Sequence, residues 1–443
     1  MCDIIGSLPL ELLDQIVKYL DLEDIVRSQR VSKRWRAILS CDTIIRPLLR
    51  ETLTFLGLDL EGVSTDVALA DAMSYFQWRH NLQYARPIKK IFLPWPASFT
   101  SLPAKIQCRS RRLCCNMPKG GRAGMLNLET GEKSTWALSG KLTQIVDFLK
   151  LSDRYLVTGS LGLWGLHDMA AYDLHTKQKI CQRIPPVGFL EAIVEDKVVF
   201  IASAGSQSRP LHVWDLSLNH MQKIGYFSNL VLYHVAATEK ILVAFEINWE
   251  KRPPEMQQTK WKTTTGQQVA KGTFHLPELA DHHNDGFKWR FDRCRTFGHK
   301  TVNHIFLPTD RYDTVRLEYD YAVGQLSAQR IRSVDPLYKG SLTICLAPNV
   351  ICFWTWRSDH IAIYNATTGT VNLPAIQMRR GLSSWIRNKL QRRDGPRRFW
   401  DVFGDREVLG LADESGIELW FFSPRFVPDP QVLKRLKQNM AHI

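Results

Sequence analysis

Residues 7–39 read SLPLELLDQIVKYLDLEDIVRSQRVSKRWRAIL, and their periodicity sets the first element of the fold. Leu12, Leu13, Ile16, Val17 and Leu20 recur at i, i+3/i+4, while Glu11, Asp14, Gln15 and Lys18 occupy the opposite side, the pattern of an amphipathic helix. Pro9 suits the first helical position, where its missing N–H costs nothing, and Glu11 can reach back toward the free backbone donors. Asp21 can cap a second short helix carrying Leu22, Ile25 and Val26. Ser32 can cap a third, with Trp35, Ile38 and Leu39 facing inward. Three helices this short cannot bury so many apolar residues among themselves, so another domain or another chain must cover part of the surface. The segment is therefore a docking module.

The series Leu8-Pro9, Glu11-Leu12-Leu13, Ile16, Tyr19-Leu20, Leu22, Ile25, Val31-Ser32-Lys33-Arg34-Trp35-Arg36 and Leu39 resembles the F-box over residues 4–50. Some F-boxes carry Cys where this chain has Ser32, and both residues are small. The resemblance implies binding to the Skp-type adaptor of SCF ubiquitin ligases and, through it, to a cullin and a RING subunit. Leu8, Pro9, Leu12, Leu13 and Ile16 would pack against the adaptor's C-terminal helices, with Val31 and Trp35 supporting. Trp35 reads equally well as internal F-box core, and Leu20 and Ile25 read as core.

Residues 51–87 continue helically as a linker. TIIRPLLRETLTFLGL (43–58) leads across a break at DLEGVS (59–64) into a helix that Ser64 can cap and Pro87 follows. In F-box proteins such a stretch joins the F-box to the substrate-binding domain.

From residue 88 the pattern changes to short apolar or alternating runs separated by turn signals, and a unit recurs. LVTGS, MAAYDL, the turn HTKQ and KICQRI form one copy. VVFIASAG, PLHVWDL, SLNH and MQKIGYF form another, and VICFWTW, HIAIYNA, TTG and TVNLPA a third. Related turns fall at Glu129-Thr130-Gly131, Thr264-Thr265-Gly266 and Ala322-Val323-Gly324, and VLGLAD with IELWFFS makes a final pair. Units spaced about 42 to 58 residues apart match four-stranded propeller blades plus insertions. The expected fold is multidomain: a helical F-box and linker, then an all-β propeller over 88–425 with six to eight blades, seven favoured, and a helical tail over 426–443. Trp214-Asp215 is a true WD dipeptide and Tyr172-Asp173 a variant, so the domain resembles a degenerate WD-like propeller. The last unit lacks an outer strand, which IKKIFLPW (88–95) could supply by pairing the two ends of the domain.

The 443 residues are 44% hydrophobic and 23% charged, ordinary for a soluble globular chain. No secretory signal opens the sequence, and ICLAPNVICFWTW (344–356) is too short to span a bilayer. The expectation is a cytoplasmic or nuclear protein without a membrane partner. Nine cysteines at low density suggest reduced, buried thiols; Cys108, Cys114 and Cys115 read as strand residues rather than zinc ligands. HLPELADHHNDGF (275–287) gathers His and acidic residues, but a polar inter-blade loop explains it better than a metal site. With no P-loop, GxSxG, HExxH or CxxC, the reading is non-catalytic, with no cofactor and no metal.

The net charge of +14 is concentrated. Residues 105–122 hold six basic side chains and no acidic one, and residues 375–400 hold eight against Asp394 alone. Arg379, Arg380, Arg387, Arg392, Arg393, Arg397 and Arg398, with Trp385 among them, form a candidate substrate-binding segment for an acidic or phosphorylated protein. The leading reading is an SCF substrate receptor. The alternative is an anion- or nucleic-acid-binding propeller whose F-box serves its own turnover; nucleic acid is the less expected partner.

Overall fold

The computed structural model describes residues 8–17, 19–20, 22–55, 63–95, 106–116, 122–137, 146–161, 167–184, 187–194, 196–202, 209–227, 230–236, 240–248, 251, 253–276, 295–297, 300–306, 314–331, 342–347, 350–354, 361–365, 370–372, 401–405, 407–413 and 416–440. Five helices come first: α1 (Leu10–Val17), α2 (Leu22–Ser28), α3 (Lys33–Leu39), α4 (Asp42–Phe55) and α5 (Thr65–Gln83). Ser32 caps α3 by accepting the Trp35 N–H at 3.0 Å, and Ser64 caps α5 through the Val67 N–H at 3.5 Å. Leu13, Val17, Ile25, Leu39 and Ile44 close one small core, and Leu22, Val26, Ile45 and Leu49 form a second with Ala68 and Ala72 of α5.

From Lys89 to Phe421 the described residues form seven four-stranded antiparallel sheets, and a last helix follows. Sheets 1 to 6 occupy residues 106–137, 146–184, 187–227, 230–275, 295–331 and 342–372. Sheet 7 takes three strands from residues 401–421 and its outer strand from Lys89–Pro94, which pairs with Gly416–Phe421 from Lys89↔Phe421 to Pro94↔Gly416. The two ends of the domain thus share one sheet, as the missing strand of the last repeat predicts.

The sheets share no strands; they join by packing face to face. Alternation along a strand sends successive side chains to opposite neighbours. In sheet 3, Val198 and Phe200 pack with Val157 and Met169 of sheet 2, while Val199 and Ile201 pack with Leu242 and Ala244 of sheet 4. Buried clusters of this kind occupy the junctions 1/2, 2/3, 3/4, 4/5, 6/7 and 7/1 among the described residues. Sheet 1 meets both sheet 2 and sheet 7, so among the described residues the sheets pack in the order 6, 7, 1, 2, 3, 4, 5, as the blades of a propeller do. Cys108, Cys114 and Cys115 are buried in these strands, and burial pushes the Cys115 thiol up to about 12 and the other two well above the ordinary value.

One turn recurs. Its first residue, Asn127, Asp173, Asp215 or Asp320, ends the third strand and accepts two backbone N–H groups from the turn beyond it. Its fifth residue is left-handed: Gly131, Lys177, Asn219, Gly266 and Gly324 have φ of 76°, 60°, 47°, 67° and 67°. A second bond repeats with it. Leu128, Leu174, Leu216 and Thr263 each donate the backbone N–H to Arg111, Arg154, Asp196 or Lys240 at 2.7–2.8 Å, tying the turn to the head of the second strand.

Candidate functional site

Helix α1 divides its apolar residues between two surfaces. Leu13 and Val17 are buried in the helical core. Leu12 (52% exposed) and Ile16 lie four residues apart on the solvent side, with exposed Pro9 before them and Tyr19 after. Val31, 65% exposed, stands at the turn leading into α3. Leu8 is half-buried, and Trp35 is partly buried against the Leu13 core.

This placement corrects one expected contact. Leu13, at 2% exposure among Ile25, Leu39 and Ile44, has no surface to offer a partner; it is a core residue. Trp35, partly buried, packs against the same core. Pro9, Leu12, Ile16 and Val31, with Tyr19, are exposed among the described residues.

The module is fixed to the propeller. The first half of α5 buries Ala68 and Ala72 against α2 and α4. Its second half buries Trp78 and Leu82, followed by Ala85, against Leu346, Ile361, Leu411, Trp420 and Phe422 of sheets 6 and 7. Asn81 Nδ2 donates to the Phe422 carbonyl at 3.3 Å, Asn372 Nδ2 donates to the Gln83 carbonyl at 2.8 Å, and Arg425 pairs with Asp71. A helix apolar on two different faces, each facing a different domain, acts as a strut rather than a tether.

The C-terminal segment is not a free tail. After Asp429, whose carboxylate accepts the Gln431 and Val432 N–H groups at 2.7 and 2.8 Å, helix α6 (Pro430–Met440) buries Val432, Leu436 and Met440 in the junction of sheets 7 and 1. Asn439 Nδ2 donates to the Gly131 carbonyl at 2.7 Å. The helix therefore covers the place where the two ends of the β domain meet.

Three arginines of the first basic segment are internally engaged. Arg109 Nε donates to Asp153 at 3.3 Å, and Arg112 donates to the Asp153 carbonyl at 2.6 Å, linking sheets 1 and 2. Arg111 donates to Glu407 at 3.2 Å and to Glu129 at 2.8 Å, linking sheets 7 and 1. Counting charge along the chain finds the arginines but not these partners, which come from distant strands. The other basic segment, with Arg379, Arg380, Trp385, Arg387, Arg392, Arg393, Arg397 and Arg398, lies outside the described residues, as does most of 275–287. A polar cleft of 610 Å³ beside α6 is lined by Arg112, Met125, Asn127, Glu132, Lys133, Ser134 and Asn439.

Residues 5–50 match the F-box-like family model. No curated protein matches the chain. Among solved structures it is similar to the β-propeller domain of the Trilobed protease from Pyrococcus furiosus, with 10% identity, TM-score 0.36, and coverage of 62% of this chain and 81% of that one. It is also similar to virginiamycin B lyase from Staphylococcus aureus, with 10% identity, TM-score 0.44, and coverage of 75% and 99%. Against the Pyrococcus horikoshii acylaminoacyl peptidase, identity is 9%, TM-score 0.37 and coverage 62%, and the chain spans 44% of that protein. The N-terminal module is thus F-box-like, and the protein is a candidate protein-interaction adaptor built on a propeller.

Proposed function

We propose that the chain is the substrate-recognition subunit of an SCF-type ubiquitin ligase, without catalysis of its own. The F-box-like helices would hold a Skp-type adaptor, and through it a cullin and a RING subunit. The propeller, read as a degenerate WD-like domain, would hold the protein to be ubiquitinated. A cytoplasmic or nuclear site of action goes with this reading.

The observation that carries it is the exposed stripe of Pro9, Leu12 and Ile16, with Val31, on a module that buries Leu13, Val17, Ile25 and Leu39 in its own core. Exposed aliphatic anchors on a short amphipathic helix suit a groove between partner helices, where a few such residues supply most of the affinity. The α5 strut supports it further, because a receptor must hold its target at a set distance from the charged enzyme. The paired Arg109, Arg111 and Arg112 give no support to the anion-scaffold alternative.

Size-exclusion chromatography of the full chain with a purified Skp-type adaptor, then with cullin and RING subunits added, tests the proposal. Stepwise co-elution of all four chains is expected; a chain that elutes alone in the presence of the adaptor rules the role out.

A further inference from the structure

Sheet 4 breaks a rule that its neighbours keep. In sheets 2, 3 and 5 the acidic residue opening the recurrent turn also meets a cation: Asp173 with Arg154 at 2.8 Å, Asp215 with Lys197 at 2.8 Å and Asp320 with Lys300 at 3.8 Å. The equivalent residue of sheet 4 is Lys262. The backbone of its turn is unchanged. Gly266 N–H donates to the Lys262 carbonyl at 2.9 Å, as Gly131 does to Asn127 at 2.8 Å and Lys177 to Asp173 at 2.9 Å. Gln267 N–H donates to Thr265 Oγ1, as Glu132 does to Thr130. The turn therefore forms without an acidic first residue, and lysine gives up the two bonds such a residue would accept.

More lysines gather there. The Thr263 N–H and hydroxyl both donate to the Lys240 carbonyl, at 2.8 and 2.9 Å, which sets Lys240 beside the turn. Lys223 of sheet 3 lies beneath it: a Cβ on Gly266 would come within 2.9 Å of the Lys223 carbonyl. Lys271 follows on the outer strand of sheet 4. Among the described residues no carboxylate pairs with Lys240, Lys262 or Lys271, whereas Arg154, Lys197 and Lys300 at the head of the second strand in sheets 2, 3 and 5 each meet the aspartate that opens the turn.

Apolar residues share this rim. The fourth turn residue is Thr130, Thr176 and Thr265 in sheets 1, 2 and 4, but Leu218 and Val323 in sheets 3 and 5, each 70% exposed. Val269 of sheet 4 is exposed between them. Unpaired lysines of sheet 4, beside exposed aliphatic side chains of sheets 3, 4 and 5, are complementary to carboxylates interspersed with apolar residues.

We propose that the turn rim of sheets 3 to 5 docks an acidic polypeptide segment with interspersed aliphatic or aromatic side chains. Lysine point charges beside aliphatic groups suit such a segment better than nucleic acid, whose phosphates favour arginine forks and whose bases favour aromatic platforms. As the substrate site it rests on the receptor reading above; the binding itself does not.

The test is fluorescence anisotropy of the full chain with a labelled 16-residue peptide of Glu and Asp with Leu at every fourth position. A Gln/Asn version of the peptide and a 16-nucleotide oligothymidylate serve as comparisons. The acidic peptide should bind in a salt-sensitive manner, and K262D should weaken it about tenfold. K262D restores the residue type of the neighbouring sheets, so it should melt no lower than wild type, separating lost binding from lost folding. L218S/V323S should also weaken binding. Equal binding of K262D, equal binding of the neutral peptide, or tighter binding of the oligonucleotide overturns the proposal. Adaptor capture by K262D should be unchanged, so this site and the receptor role can fail separately.

Discussion

Replacing Leu13 by alanine removes a side chain packed among Val17, Ile25, Leu39 and Ile44 and should cost about 2–5 kcal/mol of stability. Leu12→Ala, one residue earlier, removes an exposed side chain and should stay within about 0.5 kcal/mol. Urea unfolding of the two variants checks the assignment of core against surface. Helical periodicity places both leucines on the apolar side but cannot say which edge of that side faces inward; the packing of α2, α3 and α4 decides it. The turn glycines allow a second comparison. Gly324→Ala meets no atom within 4 Å and should show only the left-handed penalty, about 1 kcal/mol. Gly131→Ala adds a Cβ 2.8 Å from Arg435 Cβ of α6 and should cost clearly more, about 2–3 kcal/mol, in the same assay.

At the scale of elements, the recurrent turn is also an acid-sensitive device. Burial works to raise the Asp173 carboxyl, but the Thr176 and His175 N–H groups and Arg154 outweigh it and hold the group below its ordinary value. A carboxylate depressed in the folded state stabilises fully above its unfolded pKa, about 3.9, and loses that contribution as pH falls through that value toward the folded one. Stability measured by urea midpoint should therefore decline below about pH 4, and Asp173→Asn should flatten that decline. The two outer helices are the other elements open to test. Trp78→Ala in α5 should cost about 3–5 kcal/mol and loosen the joint between module and propeller, seen as a larger radius of gyration in solution scattering. Of these elements, the strand–turn–strand repeats were readable because turn residues and alternation are local signals. The docking of α6 was not: QVLKRLKQN shows an amphipathic helix, but the surface that receives it joins the nearby strands of sheet 7 to residues between Ile91 and Leu128, far away in the chain. Lys262 was readable in principle, by aligning the first turn residues Asn127, Asp173, Asp215, Lys262 and Asp320.

For the whole molecule, strand pairing, cluster order and two helices give one mechanical account. Lys89–Pro94 joins the ends of the propeller, α6 covers the join, and α5 fixes the F-box-like module to sheets 6 and 7. The sequence pattern foretold the closing strand because the last repeat lacked a partner, whereas the rigidity of the joint follows from apolar residues on α5 that are divided between two domains. Such a body would present a bound adaptor and a bound target in one relative orientation. Its central claim is that the exposed face of α1, and not its buried face, engages the adaptor. Titration calorimetry of a purified Skp-type adaptor against the full chain and its Leu12→Asp/Ile16→Asp variant, with thermal melts of both proteins, is the direct measurement. The account predicts at least a hundredfold loss of affinity, on the order of two anchor residues, with an unchanged melting temperature; equal affinity for the two proteins would contradict it.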